Sequence, residues 1–396
     1  MATTSDIIKT EIVIVGAGLV GLTAAIAMAT QGRQVVIVDS QATQPKDWAP
    51  TETQWDARIY ALTEETITWL QSLGIWQHVD SSRVQAITAM ALWEPQQRAP
   101  LMLRAEDAYL TQMGCILESA NLMQACFKRL NNLDLPVTIA TPVDIIRQPR
   151  DVALLLDNQQ RIEAKLIIAA DGVHSWVRQR MQIGTVFKSF DQTALVANFK
   201  AAHDHQGVAT QWFLPHETMA LLPLPHPMVS MVWAVSTERA QQLLTLNKDA
   251  LVAEVNAFSM PTLGQLTLCG DVYPFPLNQQ TAETYIAERL VLVGDAAHQV
   301  HPMAGQGVNL GFRDVMQLAN MATKLSALQD IGDYHFLRHY ERARKLDVIS
   351  MNALTSGLDM LFATESPWIQ RLTGWGMQRV NQWAWLKKRL VHTATL

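Results

Sequence analysis

The most restrictive feature of this chain lies near its start. Glu11 to Gly16 (EIVIVG) is a short β-branched run ending in glycine, the pattern of a strand buried on both faces of a parallel sheet. Gly16-Ala-Gly18-Leu19-Val20-Gly21 follows at once, Leu19 to Gln31 reads as a helix, and Gln34 to Asp39 (QVVIVD) is a second buried strand. Strand, glycine turn, helix and strand make a βαβ unit, which commits the chain to a parallel α/β sheet. The glycine spacing has its own physics. The first glycine permits the tight turn, the second lets backbone approach a pyrophosphate, and the third lets helix and strand pack closely. Asp39 closes the next strand 18 residues beyond the last glycine, near the ~20 at which a carboxylate can grip a ribose hydroxyl. The turn therefore predicts a dinucleotide site at Gly16, Gly18, Leu19, Val20, Gly21 and Asp39, and leaves FAD and NAD both open.

Two later apolar strands end in similar fashion. Ala164 to Ala170 runs into Asp171-Gly172, and Arg289 to Val293 runs into Gly294-Asp295. Between them, residues 181–284 carry β-like runs, Thr193 to Phe199 and Met228 to Val235, with Pro215, Pro223, Pro225 and Pro227 interspersed. The expected layout is a discontinuous nucleotide-binding domain (1–85, 105–180 and 285–330), a mostly β-sheet substrate domain (86–104 and 181–284), and a helical C-terminal region (331–396). A length of 396 residues suits two domains on a common body.

After Gly294-Asp295-Ala-Ala-His298 come Pro302, Gly305-Gln306-Gly307, Val308-Asn309 and Gly311. This string delivers a carboxylate to a polyol, then runs a glycine-rich loop into a helix. Clustered backbone N–H groups at a helix start create positive potential, which suits the negative charge of reduced flavin near N1 and O2. The string thereby decides for flavin.

Composition narrows the partners. With 49% hydrophobic and 17% charged residues and a formal net charge of −5, the chain lacks the basic surface that nucleic acid requires. Cys115, Cys126 and Cys269 form no CxxC pair and point to buried thiols in a reducing compartment. No signal run opens the chain and no apolar stretch reaches the ~18 residues of a membrane span, so a cytoplasmic protein is expected. A peripheral seat on the inner face of a membrane stays open. Trp368, Trp375, Trp383 and Trp385, interleaved with Leu372, Val380, Leu386 and Leu390 and ending in Lys387-Lys388-Arg389, suit an interfacial helix on anionic lipid. Packing on the body, or a contact in a homo-oligomer, accounts for the same pattern. His298 and His301, or His203-Asp204-His205, lack a third ligand at zinc spacing, so no metal is expected.

The string GDAAHQVHPMAGQGVNLGFRD resembles the flavin-ribityl motif of the para-hydroxybenzoate-hydroxylase-like monooxygenases, and within them the hydroxylases of ubiquinone biosynthesis. The resemblance extends to the N-terminal GxGxxG with Asp39, Asp56-Ala-Arg58, Leu73-Gly74-Ile75-Trp76, Asp171-Gly172 with Ser175 and Arg178, and Phe275-Pro276-Leu277. It implies a Rossmann-like FAD-binding domain of the GR2 type with an inserted sheet domain. It also implies that Asp295 binds the ribityl chain, that Pro302, Gly305, Gln306 and Gly307 position the isoalloxazine, and that Asn309 caps the helix near its pyrimidine edge. Arg58 should lie near the flavin or its phosphates, and Asp171-Gly172 near FAD, where the family also makes transient contact with NAD(P)H. The implied reaction is hydroxylation of an apolar aromatic ring, a polyprenyl phenol, by FAD, transient NAD(P)H and O2 through a flavin C4a-hydroperoxide, with no acid or base assigned. Alternatives are a flavin epoxidase or a non-catalytic FAD-bound subunit of a quinone-biosynthesis complex. Two departures stand out: Glu118-Ser119 replaces the usual Glu-Asn, and Glu217-Thr218-Met219 stands where Gly-Pro is common, before the strand Ala220 to Leu224 that should border the substrate.

Overall fold

The computed structural model describes residues 7–41, 55–94, 99–214, 216–300, 307–326, 328–362, 383 and 387–391. At its centre is a six-stranded sheet in the order Ile286–Ala287, Leu290–Leu292, Leu166–Ala169, Ile12–Val15, Val35–Asp39, Val137–Ile139. All neighbours are parallel except the first pair. Ile12, Val13, Ile14, Leu166, Ile167 and Ile168 are wholly buried, as continuous β-branched and leucine runs demand when helices cover both faces. The helix Leu19–Thr30 is apolar nearly all round because it packs against Ser119–Asn131 and Gly307–Ala322 as well as the sheet.

The second large sheet has eight strands, in the order His298–Gln299, Leu266–Ala282, Thr185–Ala201, Met228–Ser236, Glu217–Leu224, Val208–Leu214, Ala89–Trp93, Leu101–Arg104. Strand alternation sorts its residues onto two faces. Phe199, Met219, Leu221, Met231 and Trp233 pack under the helices Thr237–Thr245 and Lys248–Leu263. Leu222, Leu224, Met228 and Cys269 face the other way, toward Trp55, Ile59 and Ile116. That second face looks at the nucleotide-binding half, so the cleft between the halves is floored by this sheet.

The long helix Tyr334–Phe362 returns to the first sheet, where buried Tyr340 donates its hydroxyl to Leu292 O at 3.2 Å. Residues 387–391 are helical and close onto the body: Val391 is buried and Lys387 pairs with Asp107 at 3.0 Å. Lys388 stands 4.8 Å over the ring of Tyr109. One cation of the basic C-terminal cluster is thus tied to the protein, and Trp383 is half-exposed. Trp368, Trp375 and Trp385 lie outside the described residues. Among the described residues no helix is long and apolar enough to cross a membrane. Cys115 and Cys126 are buried, and desolvation pushes both thiols up to about 12, so they are inert at neutral pH.

Candidate active site

The nucleotide end is built by three glycines with three different reasons. Gly16 has φ +104°, and a Cβ there would fall 2.4 Å from Ala170 O. A Cβ on Gly21 would fall 1.9 Å from Gly16 O, so turn and helix fit only without one. Gly18 is unlike both. Its φ of −73° and ψ of 177° suit any residue, and a Cβ there would meet nothing within 4 Å. Glycine at this position makes sense only if something else occupies that space. The helix it opens has no side-chain cap, leaving its first N–H groups for an anion. Asp39 sits beside the turn, its Oδ2 accepting the Ala17 N–H at 2.6 Å. Leu19 is buried in the core.

Val20 joins this end to the other. Cβ atoms on Gly294 and Gly311 would fall 3.2 and 2.7 Å from its methyl groups, so the first helix nests against both glycines of the distant motif. Gly294 itself has φ +60° and donates its N–H to Asp314 Oδ2 at 2.8 Å. Asp314 is completely buried, with His298 Nε2 at 2.7 Å and Arg344 Nε at 2.6 Å. Burial opposes its ionisation, yet His298, Arg344 and the Gly294 N–H prevail and hold its pKa below the ordinary carboxylate value. The same pairing drives the Arg344 pKa further up against its own desolvation. His298 is therefore a buried partner of this network, beside the ring of Tyr285.

Asp295 stands next to this anchor and is exposed at the cleft. Crowding by protein atoms raises its pKa, while His298 and Arg58 act to lower it. Arg58 also lowers, and Asp295 raises, the pKa of Tyr60, whose shift is upward and chiefly due to burial. Arg58, Tyr60 and Asp295 thus share one electrostatic neighbourhood. Ser119, the first departure from the family pattern, hydrogen-bonds the Tyr60 side chain. A carboxylate whose charged form is disfavoured in the folded state costs stability at neutral pH. Asp295→Asn is accordingly expected to raise the Tm of the FAD-free protein while weakening FAD binding about tenfold, through loss of one charge-assisted hydrogen bond. Thermal melts and flavin titration of the same preparation check both signs.

Asp171 Oδ2 accepts the Val177 N–H at 3.0 Å, while its Oδ1 is buried without a partner among the described residues. Burial raises its pKa. Next to it Gly172 has φ +81° with open space where a Cβ would sit. Arg178 ties this segment to the Gly294-Asp295 turn by donating to Val173 O at 2.7 Å and Ala296 O at 2.8 Å. Asn309 is buried, and both ends of its side-chain amide are engaged. Nδ2 donates to Ala61 O at 2.7 Å, and Oδ1 accepts from Thr66 Oγ1 at 2.9 Å and the Thr63 N–H at 3.3 Å. Gly307 opens the helix with nothing within 4 Å of its Cβ position, and Val308 follows, half-buried. Pro302, Gly305 and Gln306, and His301 with them, lie outside the described residues. His205 uses both ring nitrogens: Nδ1 takes the Gly207 N–H at 3.0 Å, so Nε2 carries the proton and donates to Leu224 O at 2.7 Å.

A cavity of about 250 Å³ lies between the 55–58 segment and the floor of the eight-stranded sheet. Trp55 and Ala57 form one wall, and Asn198, Cys269, Asp271 and Tyr273 the other. The Ala220 to Leu224 strand shares the floor's face but does not line this cavity. The 55–58 segment is held firmly. Glu118 accepts the Asp56 N–H at 2.7 Å and is paired bidentately with Arg83, which stacks 3.9 Å over Trp55. Glu217, the second departure, accepts the Trp233 indole N–H at 3.2 Å.

These residues fit FAD. Gly18 and Gly307 leave room where nothing among the described residues requires glycine, the first helix start is uncapped, and Asp295 and Asp171 offer acceptors to hydroxyls. The arrangement defines a flavoprotein of the monooxygenase fold. The sequence profile of the FAD binding domain family matches residues 9–352. The 3-demethoxyubiquinol 3-hydroxylase of Escherichia coli K12 is 33% identical over 89% of both chains. The ubiquinone hydroxylase UbiL of Rhodospirillum rubrum is 32% identical, covering 90% of this chain and 82% of the relative. The human ubiquinone biosynthesis monooxygenase COQ6 is 29% identical, covering 97% and 92%. Among solved structures, p-nitrophenol 4-monooxygenase PnpA from Pseudomonas putida DLL-E4 superposes with a TM-score of 0.77 at 16% identity over 98% of each chain. The flavin-dependent brominase Bmp2 does so at 0.76 and 12%, over 98% of this chain and 93% of that one. The last two attest to the fold alone, which hosts more than one chemistry. The chain belongs to the FAD-dependent aromatic hydroxylases of the ubiquinone-hydroxylase family.

Proposed function

We propose that this monooxygenase hydroxylates the ring of a polyprenylated phenol, an intermediate of ubiquinone assembly, with NAD(P)H as a visiting electron donor and O2 as the oxygen source. The observation that carries the reading is the aromatic-walled cavity between the Arg58-bearing segment and the inserted sheet. An aromatic-walled cavity beside the segment that carries Arg58 is in keeping with the activities named for the bacterial relatives.

In this reading Asp39 and the Gly16–Gly21 turn hold the adenosine and pyrophosphate, Asp295 grips the ribityl hydroxyls, and the helix start at Gly307 faces the pyrimidine edge. Pro302, Gly305 and Gln306 are assigned to positioning the ring by resemblance. Bound FAD supplies electron transfer and O2 activation. The protein's own part is orientation and exclusion of water: Trp55 and Tyr273 provide flat apolar walls, and the Glu118–Arg83 pair keeps the first of them in place. A lipid-soluble substrate suits an enzyme resting on a membrane surface, and the half-exposed Trp383 with Lys388 offers one contact for it.

Purified FAD-loaded protein should oxidise NADH or NADPH faster when a 2-alkylphenol is added. The phenol should gain one oxygen atom traceable to isotopically labelled O2. Bound flavin with no phenol-dependent turnover would instead identify a non-catalytic subunit.

A further inference from the structure

The floor strand Leu266–Ala282 loses its regular pairing where it borders the cavity. Cys269 lies opposite Asn198 on the neighbouring strand and Tyr273 opposite Val196, so Gly270, Asp271 and Val272 together face the single residue Ala197. That is a β-bulge, and Gly270 enters it at φ +89°, where a side chain is rarely tolerated. Cys269, Gly270, Asp271 and Tyr273 all line the cavity across from Trp55 and Ala57, so the bulge sets how far one wall stands from the other. Its outer edge has little to hold it. Among the described residues this strand pairs on that side only at Gln280 and Thr281.

Lys248 does reach the bulge. Its Nζ donates to Gly270 O at 3.2 Å and to Asp271 Oδ1 at 3.0 Å, so one ammonium grips both the backbone and a side chain. Lys248 is the first residue of the helix Lys248–Leu263. Leu251 and Val255, one and two turns on, are buried in the cluster against which Leu268 and Val272 pack, so both flanks of the bulge rest on the same helix face. A cation at the start of a helix opposes the dipole, so helix formation does not account for a lysine there. Stability does not account for it either. The side chains of Lys248 and Asp271 are each 70% exposed, and a pair so open to solvent adds little to the fold.

We propose that Lys248, which does not itself line the cavity, is a positioning residue: it holds the Gly270–Val272 bulge so that the Cys269 and Tyr273 wall stays at the spacing from Trp55 that fits an aromatic ring. The inference rests on the reading that this cavity receives the aromatic substrate. Without the lysine, the backbone at Gly270 regains the wide conformational range open to glycine, and ligand binding must bear the cost of ordering it.

The test is a titration of FAD-loaded protein with a 2-alkylphenol, read from the perturbation of flavin absorbance, in the wild type, Lys248→Met and Lys248→Arg. Lys248→Met should weaken phenol binding about three- to fivefold, as much as a solvent-exposed pair can transmit. Lys248→Arg keeps a cation and its donors and should stay close to the wild type. FAD affinity and Tm should be the same in all three, which separates positioning from a structural role. The phenol is neutral, so added salt has no ligand charge to screen and should bring the wild type toward Lys248→Met by loosening the protein's own ion pair. Equal phenol affinity in the wild type and Lys248→Met, or a loss in Lys248→Met that comes with a lower Tm or weaker FAD binding, overturns the positioning role alone. Wild type that holds FAD but binds no phenol overturns the aromatic-substrate reading and the positioning role with it.

Discussion

Gly18→Ala should fold as the wild type does and lose about 100-fold or more in FAD affinity, whereas Gly21→Ala should be damaged in the stability of the fold itself. The difference follows from what a methyl group meets. At Gly21 it would sit 1.9 Å from Gly16 O, with Ala170 Cβ at 3.2 Å, and both follow directly on strands of the parallel sheet. Relief requires the helix to lift from the sheet, an overpacking cost of roughly 3 kcal/mol or more and a Tm loss of about 5–10 °C. At Gly18 the backbone is ordinary and the added methyl enters empty space. Only a pyrophosphate lying against that backbone would feel it, and 100-fold corresponds to about 2.7 kcal/mol of lost approach. Calorimetry of FAD-free protein together with flavin titration separates the two outcomes. Gly18→Ala protein with wild-type FAD affinity would mean that the phosphates lie elsewhere.

Asp314→Ala is expected to cost about 3–5 kcal/mol, since it strands Arg344 and His298 in the interior and frees the Gly294 N–H. Asp314→Asn should be milder in size but different in its pH dependence. The folded-state pKa of Asp314 is depressed, so its contribution is fully present above the unfolded value near pH 4 and is lost as pH falls through the folded value below that. Asp171 and Asp295 have the opposite sign. Their raised pKa values make the charged forms a burden at neutral pH, and that burden lifts as they protonate. Chemical denaturation from pH 7 down to pH 3 should show the wild type losing more stability than Asp314→Asn in the most acidic part of the range. Parallel curves would remove Asp314 from the acid response.

The N-terminal βαβ unit, the strands ending at Asp171 and Asp295, and the β character of the 181–284 stretch were all legible, because each rests on local periodicity or glycine spacing. Side-chain commitments across long separations were not. Asn309 stands in a recognisable string, but nothing local shows that its amide is occupied by Ala61, Thr63 and Thr66. Asp314 carries a weak signal, a charge on the apolar stripe formed by Leu310, Val315 and Leu318 of its helix. Its partner Arg344 lies on a different helix and gives none. Glu118 with Arg83 and the pairing of Asn198 with Ser230 likewise exist only through register. The basic run at 387–389 suits a lipid-facing helix and a helix packed on the body equally, and the contact of Lys387 with Asp107 is a tertiary one that pattern alone has no means of revealing.

The nesting of Val20 between Gly294 and Gly311 couples the two motifs through one side chain. A bulkier side chain at position 20 would push apart the grips on the adenylate and on the sugar alcohol, and a smaller one would let them drift. A guest nucleotide fragment such as AMP, seated at one end, would thereby restrain the far end before any riboflavin arrived.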